Sequence, residues 1–281
     1  MAYKLFAFDL DGTLLDDDKH IPEKNLRALE YAAGQGAVLV PATGRLYRVI
    51  PEELRNSGLI RYYILINGAC VYDSLEDRML FSADISPETS LSFLEYADSL
   101  PAIYDCYAEN RGYMTESMYR NVESYFPDMP HMLNIVKTFR TPVPELKAFL
   151  REKGCRTQKL QLYFKPEHMD VRQRLFSELP KLFPELCPTS SIKNNIELNS
   201  ILGGKGRAFL ALAEKLGIKQ EETAAFGDGT NDTEMLRYAG CGIAMANAME
   251  SVKAAADVIT CSNNEGGVGA GITDLLNGSR V

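Results

Sequence analysis

A short apolar run rich in aromatics, Tyr3–Phe8, ends abruptly on Asp9-Leu10-Asp11-Gly12-Thr13. An apolar run without alternation reads as a strand buried on both faces, the kind that parallel sheets use. Two carboxylates at i and i+2 on a continuing strand would face opposite ways. A loop that begins at Asp9 lets both point into one crevice, and Gly12 permits the tight backbone this requires. A carboxylate held beside a metal can attack phosphorus, and a second can serve as acid to the leaving oxygen and as base to water. The bland alternative is a surface turn built from Asp and Gly.

The rest of the chain alternates around this strand. Pro22–Ala33 reads as a helix stopped by Gly34 and Gly36, Ala37–Pro41 as a second strand and Tyr62–Ile66 as a third. A helical stretch covers Leu46–Asn56, with Pro51 able to break it, and Val71-Tyr72 with Met79-Leu80-Phe81 reads as a hairpin. Near the C-terminus come a helix at Lys205–Leu216, a strand at Thr223–Phe226 and a helix at Thr230–Tyr238. Another strand follows at Gly242–Met245, then a helix at Met249–Ala255 and a strand at Val258-Ile259. This rhythm implies an α/β fold, a doubly wound, Rossmann-like parallel sheet whose ligands bind at the carboxyl ends of the strands. The middle, residues 84–193, differs: it is rich in tyrosine and proline, with helices at Pro87–Ser99, Val143–Lys153 and Glu167–Leu179 and strands at Ala102–Tyr107 and Lys159–Phe164. It reads as a second α/β unit inserted into a core made of residues 1–83 and 194–281.

Composition narrows the function. Thirty Lys+Arg against 38 Asp+Glu give a formal net charge of -8, with no basic run, which argues against nucleic acid and anionic membranes as partners. No apolar run approaches the ~20 residues of a membrane span, and Met1–Leu10 lacks the apolar core of a signal peptide, so a cytoplasmic location is expected. The six cysteines lie far apart with no C-x-x-C pair, and with only three histidines a zinc site is not expected. They are expected to be reduced core residues. Asp16, Asp17 and Asp18 read as a solvated loop. Nothing in the sequence calls for an obligate protein partner.

Two further motifs follow strands, and a third opens a helix. Gly227-Asp228-Gly229-Thr230-Asn231-Asp232 follows a strand and adds hard oxygen ligands of the type that suits Mg²⁺. Thr43-Gly44-Arg45 offers a hydroxyl and amides for phosphate oxygens. Lys205 opens a helix after Gly203-Gly204; a lysine placed against the helix dipole is best explained by a bound anion.

Together these motifs resemble the haloacid dehalogenase superfamily, Asp9–Leu15 its first motif, Thr43-Gly44-Arg45 its second, Lys205 its third and Gly227–Asp232 its fourth. The long insertion and Asn67-Gly68-Ala69 are similar to the Cof-like phosphatases with a type IIB cap. The resemblance implies Asp9 as nucleophile and Asp11 as acid/base, with Lys205 completing the catalytic set. It implies Mg²⁺ held by Asp9, Asp228 and the Asp11 backbone carbonyl, with Asp232 supporting from behind. Substrate and phosphate contacts map to Leu10, Asp11, Thr43, Gly44, Arg45, Asn67, Lys205 and Asn231. The spacing from Glu197 to Lys205 is kept, although Ser200 and Leu202 stand where members commonly have Pro and Gly. The activity implied is hydrolysis of a small phosphorylated metabolite, a sugar phosphate first, with the cap setting specificity. A phosphomutase or a non-catalytic phosphometabolite-binding regulator are the alternatives.

Overall fold

The N-terminal apolar run forms a strand over Leu5–Phe8 (β1), every residue of it fully buried. The structure, a computed structural model, describes residues 3–278; the outermost positions of the expected core lie outside that range. The remaining strands are β2 (Val38–Pro41), β3 (Tyr62–Leu65), β4 (Cys70–Asp73), β5 (Arg78–Ser82), β6 (Ala102–Ala108), β7 (Arg111–Thr115), β8 (Arg140–Val143), β9 (Lys159–Phe164), β10 (Leu186–Thr189), β11 (Asn195–Ser200), β12 (Thr223–Gly227), β13 (Cys241–Ala244) and β14 (Val258–Ile259). The chain divides into two compact units. One takes residues 3–45, Ile50–Ser82 and residues 204–278; the other takes Leu46–Val49 and Ala83–Gly203.

In the first unit β14-β13-β12-β1-β2 form an all-parallel sheet. The chain adds β2 on one side of β1 and β12 on the other, so the strand order reverses beside β1, where such sheets open their ligand crevice. Phe8 pairs with both Phe226 and Pro41. Asp9, Gly227 and Ala42 therefore stand at one level, at the carboxyl ends of β1, β12 and β2. Helices Glu23–Gly34 and Gly267–Leu276 pack together, as do Lys205–Leu216 and Thr233–Tyr238. The expected third parallel strand forms elsewhere: β3 joins β4 and β5 in a small antiparallel sheet, touching the end of β2 through a parallel bridge between Ala42 and Ile64. A tight turn follows β3 in place of a crossover helix, which dictates antiparallel pairing. Pro51 does divide the Leu46–Asn56 stretch, into a 3₁₀ turn and a short helix at Glu52–Asn56.

The second unit is a six-stranded sheet in the order β10-β11-β9-β6-β7-β8, antiparallel except for β7 with β8. Alternate residues Tyr104, Cys106, Leu160, Leu162, Ile196 and Leu198 pack on one core with Phe93, Leu146 and Leu175 from its helices. On the other face Asp105 is fully buried and accepts from Arg140 Nε and Gln161 Nε2. The expected boundary at residue 193 moves to 203, because β11 pairs with β9 and β10. Its sequence, Asn-Ile-Glu-Leu-Asn-Ser, hides this: the polar positions are buried by bonding, Glu197 to Lys159 at 2.8 Å and Asn199 to the Gln158 carbonyl at 2.8 Å.

All six cysteines are free thiols; Cys70, Cys106 and Cys241 are buried as expected, but Cys187 and Cys261 are exposed. Among the described residues no helix is long and apolar enough to cross a membrane.

Asn25 ties this framework to the loop after β1. It is fully buried, donates to the Leu14 carbonyl at 2.9 Å and accepts from the Gly269 amide at 2.7 Å. Asn25→Ala would orphan both backbone groups and should cost about 1–3 kcal/mol of stability. Urea unfolding checks this; an unchanged midpoint would contradict the role.

Candidate active site

The loop after β1 folds back on itself at once. The amides of Leu14 and Leu15 donate to the carbonyls of Asp9 and Leu10 at 3.2 and 2.9 Å. Gly12 sits at φ +80°, and a Cβ there would lie 2.4 Å from Asp228 Oδ2. Glycine is therefore demanded twice, by the backbone and by the carboxylate beside it. Thr13, fully buried, donates to Asp228 Oδ1 at 2.7 Å. Leu10 is fully buried, and its carbonyl accepts from the Leu15 amide.

Lys205 starts its helix with its ammonium inside the protein. It lies 2.7 Å from Asp9 Oδ1 and 2.6 Å from Asp232 Oδ1, and is 1 % exposed. The remaining oxygen of Asp232 accepts from the amides of Asp228 and Gly229 at 3.1 and 2.9 Å. Asp9, Asp228 and Asp232 offer carboxylate oxygens within 4.8 Å of one another. Burial drives the Asp9 carboxyl up to about 8, with Lys205 opposing the rise and the charge of Asp232 adding to it. Asp228 is also raised, again chiefly by burial. For Lys205 burial works the other way, but its two carboxylate neighbours overcome it and hold the ammonium charged.

Asp11 lives in a different environment. Its carboxylate is half exposed and is gripped by Arg45, Nε at 2.9 Å and Nη2 at 2.7 Å, and by Lys19 Nζ at 3.0 Å. Burial opposes its ionisation, yet the bonds and charges of Arg45 and Lys19 prevail and keep it below the usual carboxylate range. Arg45, expected on the phosphate, thus sits on the neighbouring acid.

The remaining predicted residues gather at a third point. Thr43 is buried and its hydroxyl accepts from the Arg45 amide at 3.3 Å. Asn67 lies over Gly44, and Asn231 donates to it across 3.4 Å. Sequence reasoning missed Lys19, Asn247 and Asn263. Lys19 belongs to the supposed solvated loop and holds a left-handed backbone, φ 67°. Asn247 donates to the Gly12 carbonyl at 2.8 Å, and Asn263 donates to Leu15 O and Asp17 Oδ1, both at 3.1 Å. Isolated asparagines carry no signal until the fold brings them to the loop.

Asp9, Asp228, Asp232 and Lys205 thus meet beyond the ends of β1 and β12. The haloacid dehalogenase-like hydrolase family matches residues 6–272. The chain belongs to that family. It is 30% identical to the phosphatase YwpJ of Bacillus subtilis, over 97% of this chain and 100% of that one. It is also 30% identical to the 5-amino-6-(5-phospho-D-ribitylamino)uracil phosphatase YcsE of the same organism, over 96% and 94%. The solved structure of TM0651 from Thermotoga maritima is similar with a TM-score of 0.81 at 31% identity, covering 96% of this chain and 97% of that one. As a haloacid dehalogenase-like hydrolase related in this way, the chain is a phosphatase.

The raised carboxyl of Asp9 has a sign that melting can read. A buried acid whose pKa is raised on folding contributes stability below about pH 4 that is lost as pH climbs towards about 8. In excess EDTA the melting temperature should therefore fall between pH 6 and 8, and Asp9→Asn should flatten that fall. Parallel curves for the two proteins would contradict the assignment.

Proposed function

We propose that the chain is an Mg²⁺-dependent phosphomonoesterase acting on small polyhydroxylated metabolites, sugar phosphates first, through an aspartyl-phosphate on Asp9. The observation that carries the reading is the buried Lys205 ammonium shared between Asp9 and Asp232, beside Asp228, at the switch point of the sheet. The name of the relative YcsE, a phosphatase of a phosphorylated ribityl compound, supports a polyol phosphate as substrate.

The donor set suits a hard divalent cation. The clustered ligand atoms are all carboxylate oxygens, and burial raises both Asp9 and Asp228, a penalty that a cation relieves. Asp9 and Asp228 would hold the ion with the Asp11 carbonyl. Asp232, its oxygens already engaged by Lys205 and two amides, steadies them from behind. Bound Mg²⁺ would supply positive charge to the transferring phosphoryl group.

In the first step an oxygen of Asp9 bonds to phosphorus as the bond to the leaving oxygen breaks, and Asp11 gives that oxygen a proton. In the second Asp11 takes a proton from water, whose oxygen bonds to phosphorus and frees Asp9 and inorganic phosphate. Lys205 orients Asp9 and offsets charge on the phosphoryl oxygens. The grip of Arg45 and Lys19 favours Asp11 as carboxylate, the form that activates water. Its acid role requires those contacts to loosen when substrate arrives.

A phosphate-release screen over sugar phosphates, nucleotides and cofactor phosphates tests this with Mg²⁺ and with excess EDTA. Release should need the metal and fall by several orders of magnitude in Asp9→Asn. Asp11→Asn, which keeps the nucleophile, should lose ~10²–10⁴-fold. Near-parent turnover by Asp9→Asn would overturn the mechanism.

A further inference from the structure

Between β3 and β4 the chain takes three successive residues into left-handed backbone: Ile66 at φ 56°, Asn67 at 58° and Gly68 at 83°. A β-branched residue at positive φ is strained, and such a turn persists only where its surroundings over-determine it. Here they do. The Ile66 amide donates to the Arg45 carbonyl at 3.2 Å, and the Asn67 amide donates to the Thr43 carbonyl at 3.0 Å. Gly68 lies against the peptide that opens the Lys205 helix: a Cβ would stand 2.1 Å from Gly204 C and 2.4 Å from Lys205 N.

The side chain at the centre of this turn reaches two more elements. Asn67 Oδ1 lies where a Cβ on Gly44 would come within 2.7 Å, so the carboxamide covers that glycine. The same oxygen accepts a long hydrogen bond, 3.4 Å, from Asn231 Nδ2. The Asn231 Oδ1 in turn would stand 2.6 Å from a Cβ on Gly229. One carboxamide therefore spans the second-motif loop and the fourth-motif loop, on a turn anchored to the start of the third.

We propose that Asn67 is a positioning residue for the phosphoryl pocket, acting through Asn231 and the Thr43-Gly44 loop and not as a phosphate ligand itself. The inference rests on the phosphatase reading above. Its acceptor oxygen fixes which way the Asn231 amide points, and its bulk over Gly44 sets the spacing of the two loops. The left-handed backbone is what aims the side chain there. Glycine at this position keeps that backbone without strain and removes only the bridge.

A double-mutant cycle separates this from direct contact. Asn67→Gly, Asn231→Ala and the double variant would be titrated calorimetrically with inorganic phosphate in Mg²⁺, and their KM and kcat measured on a substrate from the screen. Each single change should weaken phosphate binding about tenfold and raise KM more than it lowers kcat, and the double should lose no more than either alone. Asn67→Asp, which keeps the shape and the acceptor, should restore sensitivity to Asn231→Ala. It also gives the cycle an isosteric arm if the glycine variant unfolds. Losses that multiply to about a hundredfold, or parent-like phosphate binding by Asn67→Gly, would overturn the proposal. Failure of the phosphatase reading shows separately, as no phosphate release by the parent chain, since phosphate binding still reads the cycle. A parent chain that releases phosphate but binds none overturns the proposal alone.

Discussion

A buried ammonium shared by two carboxylates holds the catalytic end of the first unit together. Lys205 is inside the protein at the first residue of a helix, where the dipole already carries positive character, so it is stable there only because Asp9 and Asp232 approach it from two strand ends. Each of those aspartates has its own anchor. Asp9 follows β1, and Asp232 ties down the amides of Asp228 and Gly229 after β12. The small residues around them follow from the same crowding: Gly12 beside Asp228, Gly68 beside Gly204 and Gly227 beside Asp232 have no room for a Cβ.

The two aspartates of the first motif are two residues apart and chemically opposite. Asp9 is buried and raised, whereas Asp11 is half exposed and lowered by Arg45 and Lys19. Environments that push neighbouring carboxyls apart are how one loop assigns different roles to like groups. Burial raises Asp9 even with the Lys205 ammonium beside it, so a further cation in the proposed metal site would favour its ionised form. Asp11 is held as a carboxylate by two basic side chains.

Much of this was legible in the sequence where a physical signal is local. β1, β12, β14 and the helix Lys205–Leu216 are apolar or amphipathic enough to be read directly, and three of the four motifs lie at the strand ends where a doubly wound sheet puts its ligands, the fourth at a helix start. What was not legible depends on partners far along the chain. β11 looks too polar for a buried strand until Lys159 and the Gln158 carbonyl are set opposite Glu197 and Asn199. β8 and β10 contain Pro142 and Pro188, which mask short strands. Lys19 reads as part of a solvated acidic loop, and only the fold turns its side chain onto Asp11.

The chemistry proposed around Lys205 requires that Asp9 itself become phosphorylated. Rapid acid quench of a single turnover with substrate labelled in its phosphoryl group, followed by peptide mapping, reads that event directly. Transient label on the peptide carrying Asp9, rising and decaying as free phosphate appears, is the predicted result. Label on another residue, or full phosphate release with unlabelled protein at every time point, would contradict it.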